Sequence, residues 1–223
     1  MKILAFDTST KYLSIALVED GRVAARFHED MGIRHSEVLA PKIGELAGEA
    51  GWKIGDIGLI SAGIGPGSFT GLRIGVATAK GIAAVTGCRV IGIPSMDAML
   101  SEVPESVRSF APLLDARKEK VYSSIYETSE GRRKKIRGPE LVTIDRLLSE
   151  LGEKVVFFGD GIDRYRETIE KCPFAEINDD IDWYPRAEEI ARLGVERSKG
   201  ETVDPADLEP LYLYSRECSI TNE

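Results

Sequence analysis

Residues 63 to 75 read Gly63-Ile64-Gly65-Pro66-Gly67-Ser68-Phe69-Thr70-Gly71-Leu72-Arg73-Ile74-Gly75, five glycines in thirteen positions. The apolar run Leu59-Ile60-Ser61-Ala62 precedes them, and a helical pattern of small residues follows as far as Thr86. The local order is therefore strand, glycine turn, helix. Glycine accepts left-handed backbone angles and lets a neighbouring backbone come close. Pro66 fixes one bend, and Ser68 or Thr70 can accept a hydrogen bond from the first free amides of the helix. Such a helix entrance can bind an anion. A phosphate loop, however, needs Lys followed by Ser or Thr after its glycines, and here Gly71-Leu72-Arg73 stands in that place, which excludes it. Along the helix Gly71, Gly75 and Ala79 recur at i, i+4 and i+8, a flat side on which another backbone can pack. Phe69, Leu72 and Val76 form a second stripe, so the pattern predicts a helix with two packed sides.

The elements around this stretch are legible in the same way. Ile3 to Phe6 is a short buried strand ending at Asp7-Thr8-Ser9-Thr10. Tyr12 to Val18 and Val23 to Phe27 are strands joined by the turn Glu19-Asp20-Gly21-Arg22. Asp30-Met31-Gly32 is predicted to be a mobile link. His35 to Ala50 carries apolar residues at helical spacing and stops at Gly51. Val90 to Ile93 is a further strand, and Pro94-Ser95 caps a short helix through Leu100. The second half repeats the order: Ala111 to Asp115, Val121 to Tyr126, a third strand after Gly131, a helix from Thr143 to Leu151, Val155 to Phe158, a helix from Ile162 to Ile169, and Ala175 to Ile177. Aligning Asp7 with Asp115 sets Leu13 on Val121 and Leu17 on Ile125. The expectation is two related lobes, residues 1–103 and 104–223, meeting at a cleft near Glu102 to Val107. A last helix, Arg186 to Ser198, sits after Pro185 and before Gly200, and the apolar tail from Leu208 to Tyr214 packs back on the body.

Composition narrows the function classes. A net charge of −8 gives no global basic field to draw the chain to nucleic acid or an anionic membrane. Cys88, Cys172 and Cys218 are widely spaced without a CxxC pair, which fits a reducing compartment, and no apolar run approaches the roughly 20 residues of a membrane span. The expected location is the cytoplasm, away from membranes. His28 and His35, the only histidines, straddle a strand-to-helix link and form no metal pair. No histidine stands near Ser68 or Ser95 in sequence to act as a base.

Asp7-Thr8-Ser9-Thr10, Arg34-His35-Ser36-Glu37, the segment Gly65 to Gly75, and Asp115-Ala116-Arg117 with Glu119, Val121 and Tyr122 together resemble the bacterial TsaB (YeaZ) family over essentially the whole chain. That resemblance implies an α/β chain with the duplicated ribonuclease-H-like fold of actin, Hsp70 and sugar kinases (ASKHA). Each lobe would have a mixed sheet flanked by helices, the second lobe being shortened. It also implies a non-catalytic partner of TsaD, the paralogue that transfers a threonylcarbamoyl group to the adenosine beside the anticodon of tRNAs reading ANN codons. The ATPase TsaE completes that assembly, and ATP and metal belong to the partner subunits, so no cofactor is expected on this chain. TsaD carries a metal-binding His-x-x-x-His, and Ser95 and Met99 stand at the corresponding places in Ile93 to Met99. A hydroxyl and a thioether are poor ligands for iron or zinc.

The family further implies a helical interface, used for a homodimer when the chain is alone and for TsaD in the working pair. Mapped here it comprises Val38, Leu39, Lys42, Ile43 and Leu46 from the first helix. From the second it takes Phe69, Thr70, Gly71, Leu72, Arg73, Gly75, Val76 and Ala79. Asp7 and Asp115 stand where actin-like enzymes hold Mg²⁺ and phosphates, and with Thr8 and Ser9 form a candidate vestigial nucleotide or metal cleft; the alternative is that each aspartate caps a strand-end turn. Thr8-Ser9-Thr10-Lys11 lacks the glycines of a phosphate hairpin. Alternative functions are an independent ATPase or kinase, or a glycopeptidase-like hydrolase. The basic run Arg132, Arg133, Lys134, Lys135, Ile136 and Arg137 reads as a charged hairpin tip, or else as a contact for tRNA phosphates in a larger complex, where tRNA binding is otherwise indirect.

Overall fold

The computed structural model describes residues 1–199 and 204–214. The chain forms two compact units. One contains Met1–Ser101 with Tyr184–Leu211; the other contains Glu102–Trp183 with residues 212–214. Residues 184–211 thus belong with the first unit, whereas the sequence division at 103/104 places them in the second half.

In the first unit β1 (Lys2–Asp7), β2 (Tyr12–Glu19) and β3 (Arg22–Asp30) are followed by α1 (His35–Glu49), β4 (Leu59–Gly65), α2 (Phe69–Thr86) and β5 (Arg89–Pro94). The five strands lie in the order β3-β2-β1-β4-β5, with β1 antiparallel to β2 and parallel to β4. Period two along β1 sends Leu4 and Phe6 to the face covered by α1 and α2, where Leu39, Ile43, Leu46, Val76 and Ala79 meet them. Ile3 and Ala5 point to the opposite face, with Ala16, Ile91 and Ile93. Both faces being covered explains why β1 is a continuous apolar run rather than an alternating one. The second cover is α5 (Ala187–Ser198), whose stripe Ala187, Ile190 and Ala191 packs on Ile3, Ala5 and Ile91. Ser14 Oγ accepts the first amide of that helix, Ala187 N, at 2.8 Å.

The second unit repeats this wiring. It holds β6 (Ser109–Asp115), β7 (Lys120–Ser129), β8 (Arg132–Thr143), α3 (Ile144–Ser149), β9 (Val155–Phe158), α4 (Gly161–Glu170) and β10 (Ala175–Ile177). The sheet order β10-β9-β6-β7-β8 matches the first position by position. Its helices have 6 and 10 residues, against 15 and 18 in the first unit, so it is the shortened copy. Both hairpins turn on a left-handed pair, Asp20-Gly21 and Glu130-Gly131, as their sequences require.

Three local expectations change. Asp30-Met31-Gly32 is not loose: β3 runs to Asp30, and the amides of Met31 and Gly32 both donate to the Lys11 carbonyl. Ser95–Met99 forms only a 3-10 turn rather than a helix to Leu100. The register also separates Asp7 from Asp115. Leu13 and Val121 do occupy equivalent core positions. Thr8 would fall opposite Leu13 by extending the β1–β2 register, whereas Val121 pairs with Asp115 itself. Asp115 is therefore the counterpart of Thr8. It points to the helix-covered side of its sheet, beside Ala111 and Leu113, while Asp7 points away from α1 and α2.

Candidate functional site

The β1–β2 turn is polar and yet buried: Asp7 is 1 % exposed, Thr8 0 % and Ser9 2 %. Buried polar groups need partners, and these have them. Asp7 Oδ1 accepts from Ser9 N at 2.8 Å and from Ser9 Oγ at 2.6 Å, and Oδ2 accepts from Ser95 Oγ at 2.5 Å. Ser95 Oγ in turn accepts from Gly65 N at 3.0 Å. Thr8 Oγ1 donates to the Gly71 carbonyl at 2.8 Å, and Ser68 N donates to the Ser9 carbonyl at 2.6 Å. Burial pushes the Asp7 carboxyl above its ordinary value of 3.8. The bonds from Ser9 and Ser95 and the nearby His35 act in the opposite sense without cancelling it.

The glycine stretch is shaped by this turn. A Cβ at Gly63 would lie 1.9 Å from Asp7 Oδ2, one at Gly67 2.2 Å from the Ser9 carbonyl, and one at Gly71 2.0 Å from the Thr8 carbonyl. At Gly75 it would lie 2.5 Å from Thr8 Oγ1. Gly65 is left-handed, with φ 100°. The flat side of α2 therefore packs on the chain's own β1–β2 turn. The candidate cleft residues Asp7, Thr8 and Ser9 spend their hydrogen bonds inside this contact.

The interface residues named from sequence divide in two. Leu39, Ile43, Leu46, Gly71, Leu72, Gly75, Val76 and Ala79 are buried within the first unit, so they shape α1 and α2 from beneath instead of offering surface. Val38 and Lys42 are half-buried, and Phe69, Thr70 and Arg73 are exposed. Lys42 Nζ pairs with Glu45 at 2.6 Å, and the Arg73 guanidinium lies 3.8 Å from the centre of the Phe69 ring. α1 and α2 pack side by side on the sheet. Their outer faces carry residues the sequence reasoning passed over: Ala40, Pro41, Gly44 and Gly48 on α1, and Ala77, Gly81, Ala84 and Val85 on α2. Ile33 is 96 % exposed, Val85 88 % and Phe69 54 %. Ala40, Gly44 and Gly48 repeat the i, i+4, i+8 spacing of the inner stripe, a signal available in the sequence. A Cβ at Gly44, Gly48 or Gly81 would meet nothing within 4 Å.

The other candidates scatter. Ser95 and Met99 are buried, Ser95 as the link between Asp7 and Gly65. Asp115 is exposed; its Oδ1 accepts from Arg117 N at 2.9 Å and lies 3.9 Å from Arg164. His35 Nε2 lies 3.3 Å from the Tyr12 carbonyl, and the His28 ring packs 4.9 Å from that of Tyr12. On β8 the basic residues alternate. Arg133 reaches the Val103 carbonyl, Lys135 lies 5.5 Å from the Tyr126 ring centre, and Arg137 pairs with Glu140 and Glu150. Arg132 and Lys134 point outward, with Lys134 beside Glu127 on β7. Cys88 is buried and Cys172 half-buried, both as free thiols; Cys218 and Gly200 lie outside the described residues. No helix is long and apolar enough to cross a membrane, among the described residues.

Two five-stranded sheets of identical order, each flanked by helices, define a duplicated ribonuclease-H-like protein of the actin, Hsp70 and sugar-kinase class. Residues 28–216 match the family model of TsaD, described as tRNA N6-adenosine threonylcarbamoyltransferase, and the curated relatives narrow the choice. The chain belongs to the TsaB (YeaZ) family. It is 30 % identical over 218 residues to the tRNA threonylcarbamoyladenosine biosynthesis protein TsaB of Bacillus subtilis, covering 96 % of this chain and 94 % of that one. TsaB of Escherichia coli is 28 % identical with the same two coverages. The solved structure of YeaZ from Pseudomonas aeruginosa superimposes with a TM-score of 0.79 at 28 % identity, over 95 % of this chain and 99 % of that one.

Proposed function

We propose that this chain is a non-catalytic subunit that pairs with the threonylcarbamoyltransferase TsaD and activates it for modification of the adenosine beside the anticodon. TsaE joins the larger assembly, and tRNA is met chiefly through the partners. The observation that carries the reading is the outer face of α1 and α2, where small residues and the exposed Phe69 and Val85, with Ile33 just before α1, leave apolar surface open. Small residues let helices of a second protein approach closely, and exposed apolar groups gain by being covered. The relatives' name, carried over the full length of the chain, supplies the pathway. Ser95 and Met99 in place of a histidine pair support a supporting role over a catalytic one, and the internal bonds of Asp7, Thr8 and Ser9 weigh against an independent ATPase. The same face serves a homodimer when the paralogue is absent, so the two pairings compete.

Val85→Asp and Gly81→Arg test this. Both sit where the isolated chain has room, so circular dichroism and thermal melting stay near wild type. Co-purification with the TsaD paralogue and modification of tRNA in the reconstituted system are lost. Full pairing and full modification by both variants sink the assignment of this face.

A further inference from the structure

We infer that Asp7 is a positioning residue for the docking helix: through Ser9 on one side and Ser95 on the other it fixes where α2 begins, and with it the placement of Phe69 and Arg73. This rests on the reading of α1 and α2 as the docking face. The two oxygens of one buried carboxylate are the hub of both connections. Oδ1 holds the Ser9 amide and hydroxyl, and the Ser9 carbonyl receives the amide of Ser68, the residue that caps α2. Oδ2 holds the Ser95 hydroxyl, which receives the amide of Gly65 at the end of β4. The segment from Gly65 to Ser68 is thus gripped at both ends by groups that converge on Asp7.

Contacts alone do not set this segment. Gly63, Gly67 and Gly71 have no side chains to interlock, and Gly65 takes a backbone angle open to few other residues. A flexible glycine run needs external hydrogen bonds to hold one conformation. An aspartate supplies acceptors on both sides, whereas an asparagine has one acceptor oxygen and must turn its amide toward the other side. Serine at position 95 can receive from Gly65 and donate to Asp7 at once, which no apolar residue can do.

The test uses amide hydrogen exchange and affinity for the TsaD paralogue in Ser95→Ala, Asp7→Asn and Phe69→Asp. In Ser95→Ala, exchange at Gly65 and Ser68 rises by about tenfold, the loss of one buried hydrogen bond, while Leu4 and Ile60 at the centre of the sheet are unchanged. Affinity for the paralogue falls by about the same factor. Asp7→Asn keeps an acceptor for Ser9 and gives a smaller effect of the same kind. Phe69→Asp removes pairing and leaves exchange at Gly65 and Ser68 as in wild type. Faster exchange everywhere, the central amides included, makes Asp7 and Ser95 general stabilisers and overturns the inference. Local loosening with undiminished affinity overturns it too, provided Phe69→Asp still abolishes pairing. Normal pairing by Phe69→Asp would remove the docking face itself, whatever the exchange data show.

Discussion

Asp7 is a carboxylate in a place that burial makes costly for charge, and its pH dependence follows from that. Burial raises its folded-state affinity for a proton above that of the unfolded chain, whose ordinary value is 3.8. The folded state therefore binds more protons in the window between that value and the raised one, and the site gains stability as pH falls through it. Asp7→Asn has no such response. Urea denaturation from neutrality down toward 3.8 should show wild type gaining on Asp7→Asn as the pH falls; a gap that widens in favour of Asn contradicts the account. Ser61 is the opposite case, a wholly buried hydroxyl without a hydrogen-bond partner among the described residues. Its Oγ lies 1.8 Å from where a Cβ on Gly194 of α5 would sit. Removing an unpaired buried hydroxyl stabilises or leaves stability unchanged, so Ser61→Ala should raise the unfolding free energy by up to about 1 kcal/mol. Gly194→Ala should lower it by about 1–3 kcal/mol through overpacking.

At the scale of the element, α2 carries two sets of glycines with opposite demands. Gly71 and Gly75 face Thr8 at distances that no Cβ tolerates, and Gly81 faces open space. Gly75→Ala is expected to cost about 1–3 kcal/mol in thermal or chemical unfolding. Gly81→Ala and Gly44→Ala, which add helix propensity without a clash, should each stabilise the isolated chain by up to about 1 kcal/mol. On the proposed docking face the same two substitutions should weaken pairing with the paralogue, so stability and affinity move in opposite directions. Parallel gains in both would argue that nothing docks there. The i, i+4, i+8 pattern of Gly71, Gly75 and Ala79 announces a close approach of backbone, and that much was legible. Which backbone approaches was not, because spacing encodes the shape of a surface and not the chain that meets it. The outer repeat of Ala40, Gly44 and Gly48 carries the same code and was hidden beside the stronger apolar periodicity of Leu39, Ile43 and Leu46.

For the molecule as a whole, strand identity and the repeat of element order could be read from period-two runs and turn glycines. That Asp7 and Asp115 are not equivalent could not, since the shift of one residue between the two β-hairpins shows only in the pairing register. The allegiance of α5 was equally hidden. Its stripe Ala187, Ile190 and Ala191 fits any flat apolar surface, and only the three-dimensional sheet reveals that the face of Ile3, Ala5 and Ile91 needs covering. Residues 1–101 expressed alone should therefore expose that face, bind a hydrophobic dye and aggregate. A cooperative melt and low dye binding by that fragment would show α5 to be dispensable.

That return of α5 has a consequence for biogenesis. Domains of a nascent chain ordinarily fold in the order in which they leave the ribosome. Here the first sheet is among the earliest segments to emerge, and the helix that closes one of its faces is among the latest. The core of the second unit, within residues 102–183, is encoded inside that delay, so its synthesis intervenes before the first can be finished. Maturation of this chain is nested, and a ribosome stalled after residue 183 would hold a protein whose second core is encoded in full and whose first is still open on one side.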